Sequence, residues 1–99
     1  MKAEEICRTA GELVANGRKK THGDKKENHQ HIATLWEAYL WRRGLLRPDV
    51  VVKALDVANM MELLKIARRL CGDHNIDDYI DGAGYAALAG QIASDDQAG

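Results

Sequence analysis

Apolar residues recur at helical spacing in four stretches of the chain, separated by polar or glycine-bearing breaks. Ile6, Ala10, Leu13 and Val14 predict a first helix from about Ala3 to Asn16, with Gly17 as its stop. Residues 17–26, Gly-Arg-Lys-Lys-Thr-His-Gly-Asp-Lys-Lys, contain five bases and no apolar side chain, so they read as a surface loop. Asp24 suits the cap of a second helix, with Glu27 three positions on as in a capping box. That helix carries Ile32, Leu35, Trp36, Tyr39 and Leu40 on one face and ends near Gly44. Leu45 to Leu55 predicts an extended connection or a short strand, Pro48 preventing the second helix from running on. A third helix resumes by Asp56, with Val57, Met60, Met61, Leu64 and Ala67 facing inward and Gly72 as terminator. After Asp73-His74-Asn75 a fourth runs from about Asp77 to Ala93, and the tail at about 94–99 is expected to fray. The pattern defines an all-α, four-helix bundle-like single domain over residues 1–99.

The fourth helix is unusual in carrying Gly82, Gly84 and Gly90 in its interior. Each costs roughly 1 kcal/mol relative to alanine, so this helix is expected to pack closely on another surface, in the same chain or across a dimer. Length points the same way. With 99 residues the core is thin, and self-association into a homo-oligomer is expected.

Charge changes the picture only when it is divided. The formal net charge of -1 offers no general attraction to nucleic acid or to an anionic membrane. Residues 1–53, however, hold 11 basic and 7 acidic side chains, and residues 54–99 hold 3 and 8. The two halves are therefore complementary, which favours packing of one upon the other within or between protomers. Cys7 and Cys71 have neither a metal-ligand spacing nor a near partner, and read as reduced thiols acting as small core hydrophobes in an intracellular protein. The longest apolar runs fall far short of a membrane span, Val50-Val51-Val52 being broken by Lys53.

Few residues carry candidate chemistry. Asp77, Asp81 and Tyr85 succeed one another four apart and line one face of the fourth helix. Two carboxylates so placed can hold a divalent cation such as magnesium, with the tyrosine against a base, sugar or phosphate. The plainer account is an acidic helix start that complements the helix dipole, which explains Asp77 better than Asp81, one turn further in. Lys65 and Arg68 lie three apart at the edge of the third helix's apolar face. They can meet phosphate, or Lys65 can form a structural ion pair with Asp77 or Asp81. His22, His29, His31 and His74 have no metal-site spacing and default to surface or capping roles. His22 is the exception, because Thr21-His22-Gly23-Asp24 forms a polar turn before a helix, among bases able to attract an anion or simply to be solvated. The sequence contains no P-loop, no Rossmann glycine pattern and no nucleophile elbow.

Thr21-His22-Gly23-Asp24, Glu27-Asn28, Leu35-Trp36, Met60-Met61, Leu63-Leu64-Lys65-Ile66-Ala67-Arg68 and Asp77-x-Tyr79-x-Asp81-x-Ala83-Gly84-Tyr85-Ala86-Ala87 together resemble a small phage- and prophage-encoded helical family of unknown function, over most of residues 5–93. More distantly the order resembles nucleotide-modification-associated domains and the MazG-like all-α nucleoside triphosphate pyrophosphatases, which hold magnesium with carboxylates on facing helices and assemble as oligomers. In this chain Asp78-x-x-Asp81 or Asp77-x-x-x-Asp81 approximates one carboxylate pair, while Glu27 and Glu37 are too far apart for the other. That favours binding over cleavage. The resemblance implies a cytoplasmic protein, in the host cytoplasm if phage-encoded, that binds a nucleotide or nucleotide-derived signal in nucleotide metabolism or counter-defence. His22, Gly23, Asp24, Asn28, Lys65, Arg68 and Tyr85 would contact the ligand, and Asp77 and Asp81 a magnesium ion. The alternatives are a magnesium-dependent pyrophosphatase, and a protein–protein inhibitor that takes no small ligand.

Overall fold

The computed structural model describes residues 1–17 and 24–98, and they are all-helical. Helix α1 spans Ala3–Glu12 and widens into a π-helical turn at Leu13–Gly17; α2 spans Lys25–Arg42, α3 Ala54–Arg69 and α4 Ile76–Ala98. Local chemistry sets most of these limits. The Asp24 carboxylate accepts from Lys26 N–H at 2.8 Å and caps α2 as expected. At the other end Gly44 takes φ +72°, Gly44 N–H donates to Trp41 O at 3.0 Å and Leu45 N–H to Leu40 O at 2.9 Å. That is the paired-bond stop that a left-handed glycine permits.

Residues 45–53 contain no strand and form the extended connection. A lone strand would have left its backbone groups unpaired, whereas here Val52 N–H donates to the Glu37 carboxylate of α2 at 2.7 Å. Helix α3 starts at Ala54, two residues before the expected Asp56, because Asp56 sits in the first turn and accepts from Lys53 N–H at 2.9 Å. Helix α4 likewise continues past Ser94 to Ala98 instead of fraying. Lys26 lies 3.5 Å from Asp95 and 4.0 Å from Asp96, tying the acidic end of α4 to the basic start of α2.

Helix α3 is the middle element. Ala54 and Ala58 face α4, where Leu88, Ala89 and Ile92 complete one buried cluster. Val57 turns about a quarter-circle away and joins Ala33 and Val52 in a second, flanked by Ile32, Trp36, Leu40, Leu46 and Met61. Helix α1 lies on α4, with Ala10 buried and Val14 Cγ2 3.4 Å from the place a Gly84 β-carbon would occupy. Gly82 is buried, and a β-carbon there would stand 2.6 Å from Arg69 Nη2. Two of the three α4 glycines thus serve close approach within the chain, while Gly90 opens to empty space.

Several residues expected to face inward do not. Leu35, Tyr39, Met60 and Leu64 are exposed, since α2 and α3 bury the neighbouring faces. Leu63, on the outer side of α3, and Leu70, at its C-cap, are 62% and 82% exposed. Cys7 and Cys71 are exposed free thiols, not core residues. The radius of gyration is 14.8 Å, against about 13 Å for a compact domain of this length. Among the described residues no helix is long and apolar enough to cross a membrane.

Candidate functional site

A cleft of about 480 Å³ opens between the end of α1, the first half of α2 and the middle of α4. Its volume falls in the range of small-molecule sites. The walls are apolar where Leu13 and Val14 of the π turn, Ile32 of α2 and Leu88 of α4 line it. The π turn places Leu13 and Val14 at the end of α1, where both line the cleft. Lys25 Nζ donates to the Leu13 carbonyl at 3.4 Å, joining α2 to that turn.

Polar groups enter from two helices. Asn28 and His29 come from α2; Asp81 and Tyr85, four apart, come from one face of α4, with Gly84 leaving the backbone bare between them. Asp81 is held from behind by Lys65 of α3, N to O 3.1 Å, with side chains 27% and 12% exposed respectively. The lysine is the more buried member, and its charge is directed at the carboxylate lining the cleft.

His29 is the feature that residue type concealed. It is 8% exposed, and its imidazole lies 6.1 Å from the Tyr85 ring at a 52° tilt. Its Nδ1 is 2.9 Å from the Lys25 carbonyl, an oxygen that can only accept, so Nδ1 carries the proton and donates. In the neutral ring Nε2 then presents a lone pair, and among the described residues this buried nitrogen has no hydrogen-bond partner. A signal was present in the sequence, because His29 precedes Ile32, Ala33, Trp36 and Leu40 on the inward face of α2 at spacings of 3, 4, 7 and 11.

Burial holds the His29 imidazole below the ordinary histidine range; the bond to Lys25 O opposes that shift and the Lys25 charge adds to it. A histidine whose folded pKa is depressed contributes stability that is complete above its unfolded value of about 6.5 and is lost as pH falls through the folded value. The urea midpoint is therefore expected to drop between pH 7.5 and 5, and to drop less in His29→Phe; equal slopes for the two proteins would contradict the buried, neutral ring.

The sequence-selected residues divide. Asn28, Asp81 and Tyr85 meet in the cleft, and Lys65 stands behind Asp81. Asp24 is exposed and occupied with capping α2. Asp77 is exposed in the first turn of α4, its N–H donating to the Asn75 side chain at 3.0 Å, and it does not line the cleft. Arg68 is exposed and also outside it; the neighbouring Arg69 instead lies 4.4 Å over the Tyr79 ring. His22 and Gly23 fall outside the described residues. Among the described residues no group of three or more His, Cys, Asp or Glu side chains is placed to hold a metal ion.

These features define a small helical domain built around a ligand-sized cleft with a polar floor. Over residues 5–93 the chain matches the family described as a domain of unknown function, DUF6378, and it belongs to that family. It is 45% identical over 84 residues to the Gene 55 protein of Mycobacterium phage L5, covering 84% of this chain and 49% of that protein. To the Gene 55 protein of Mycobacterium phage D29 it is 34% identical over 90 residues, covering 91% of this chain and 54% of the relative. The chain thus spans about half the length of these phage relatives. They agree with the resemblance to a phage-encoded helical family of unknown function, and neither their names nor the family description points to MazG-like enzymes. No solved structure matches the chain.

Proposed function

We propose that the cleft binds a nucleotide or nucleotide-derived small molecule, its base seated between the apolar walls and its phosphates directed toward the start of α2. The observation that carries this reading is the convergence of Asn28, Asp81 and Tyr85, separated by more than fifty residues, in one chamber whose walls are otherwise largely apolar. Flat, apolar-faced rings suit such walls, and the Tyr85 and His29 rings offer aromatic surface. Lys25 lines the same cleft and can screen phosphate charge, with the basic residues Arg18, Lys19 and Lys20 preceding it in sequence.

The test is a thermal-shift panel of nucleoside mono-, di- and triphosphates and cyclic dinucleotides, with and without magnesium. A ligand at 100 times its Kd adds about 2.7 kcal/mol. For a domain of this size that raises Tm by roughly 10 °C or more. The rise should vanish in Tyr85→Ala. A flat response across the panel would overturn the reading, and release of pyrophosphate that is abolished by Asp81→Asn would replace a binder with an enzyme.

We also propose that the outer face of α3 is covered by a second copy of this chain. Met60, Leu63 and Leu70 form an exposed apolar stripe at spacings of three and seven, and among the described residues only Val57 and Ile92 stand out as large side chains buried completely. The opposite charges of the two halves favour a like partner over an acidic or a basic one. Sedimentation should give an oligomer for the wild type and a monomer for Leu63→Glu; a monomeric wild type at micromolar concentration excludes it.

A further inference from the structure

We infer that the C-terminal end of α2, together with residues 45–53, is a docking surface for an extended, acidic segment of another protein. This surface is separate from the cleft and does not depend on what the cleft binds. Helix α2 carries apolar residues around its whole circumference. Ile32, Trp36 and Leu40 pack inward on the core, yet Leu35, Tyr39 and Trp41 are exposed. A helix on the outside of a domain needs one apolar stripe, and the surplus marks a second face that a partner covers. Trp41 shows where that face lies, because it lines a groove of about 430 Å³ with Ala38, Leu46, Pro48, Val50 and Val51.

Three features of the groove define the chemistry of its occupant. Its walls are largely apolar, and Trp41, 55% exposed, is their one aromatic residue, so they suit an aliphatic or aromatic side chain. Its surroundings are basic. Residues 37–53 hold four basic side chains and two acidic ones, and of the two Glu37 is engaged with the backbone, accepting from Val52 N–H at 2.7 Å. Arg42, Arg43 and Arg47 are exposed, and among the described residues none of them forms an ion pair. The helix dipole accounts for Arg42 and Arg43 at the end of α2, but not for Arg47 in the connection beyond it. Exposed arginine beside tryptophan is the composition that carries binding energy in protein interfaces, its planar fork pairing with carboxylates. The third feature is the backbone. Val51 is 62% exposed, and among the described residues neither its N–H nor its carbonyl has a partner. An extended peptide laid along this segment can pair with both. A nucleic-acid strand fits poorly, since it needs bases stacked along one track, and Tyr39 and Trp41, two apart on a helix, stand on nearly opposite sides of α2.

The probe is a displayed library of random linear dodecapeptides selected on the full chain. Enriched peptides should carry two or more Asp or Glu residues beside a large apolar one. The leading peptide, labelled and titrated by fluorescence anisotropy, should bind at least tenfold more weakly to Trp41→Ala, and likewise to Arg42→Glu combined with Arg47→Glu. Its affinity for the wild type should fall with added salt. Both arginines are exposed, so the charge-reversed protein keeps its fold, which its urea midpoint checks, and it decides the matter if Trp41→Ala unfolds. A selection without acidic enrichment overturns the inference, as do acidic peptides that bind the charge-reversed protein like the wild type. Oligothymidylate binding more tightly than any selected peptide, and lost in the same variants, would replace the peptide with a nucleic acid. A change from oligomer to monomer in Trp41→Ala would make a second copy the occupant and overturn the inference as well.

Discussion

Replacing Ile92 with alanine is expected to destabilise the fold by about 2–5 kcal/mol, a large share of what a domain this small holds. Ile92 is 1% exposed and lies in the cluster with Ala54, Ala58, Leu88 and Ala89 that joins α4 to α3. Three of those four neighbours are alanines, whose side chains are single methyl groups carried on helix backbones and cannot swing into a void. The cavity left by Ile92→Ala therefore stays open, and the upper part of the range applies. Ile92→Val, which removes one methylene, should cost about 0.5–1.5 kcal/mol. Val51→Ala, at a side chain 62% exposed, should stay within about 0.5 kcal/mol. Urea unfolding at neutral pH ranks the three. A loss below about 1 kcal/mol for Ile92→Ala would mean that α3 and α4 do not share this core.

The helices were legible where a single residue type sets a local limit. Gly44 and Gly72 both adopt the positive φ that ends a helix, and Asp24 caps α2 through its own side chain. Such limits depend on groups a few positions apart, which the sequence displays directly. Faces were less legible. Spacing put Leu35, Tyr39, Met60 and Leu64 beside the true core residues, but a period of 3.6 fixes a stripe only to within about a residue on either side, and the neighbours decide which edge is buried. Least legible were contacts between distant parts of the chain. The acidic end of α4 looks unfit to stay ordered until Lys26 is brought within 3.5 Å of Asp95. That pair joins the basic first half to the acidic second, as the divided charge suggested, yet the better-buried pair, Lys65 with Asp81, lies wholly within the acidic half. In the cleft, Asp81 and Tyr85 were found from chemistry and spacing. Residue type alone assigns His29 to the surface, whereas its position on α2 is that of a core residue.

Lys65→Met is expected to destabilise the protein by about 1–3 kcal/mol and to weaken ligand binding indirectly, whereas Asp81→Asn should act mainly on binding. The difference follows from burial. Lys65 is 12% exposed and stands behind the cleft lining; Asp81 is 27% exposed and belongs to the lining itself. At 3.1 Å the direct attraction is considerable, but removal of both charges from water offsets much of it. The pair's net worth thus lies between that of a surface ion pair, up to about 1 kcal/mol, and the roughly 3–5 kcal/mol lost on breaking a fully buried one. Methionine retains the apolar stem of lysine and leaves the Asp81 carboxylate unneutralised, which is where the loss arises. In Lys65→Met combined with Asp81→Asn no charge is left uncompensated, so the double variant should be more stable than the sum of the single losses predicts, by about 1 kcal/mol or more. Urea unfolding of the four proteins gives that coupling, and the nucleotide thermal-shift panel on the same four separates the roles. If Lys65 serves to hold Asp81, the double variant recovers stability without recovering binding. Recovery of both would make the carboxylate dispensable to the ligand, and additive stability losses would mean that the 3.1 Å contact contributes nothing to the fold.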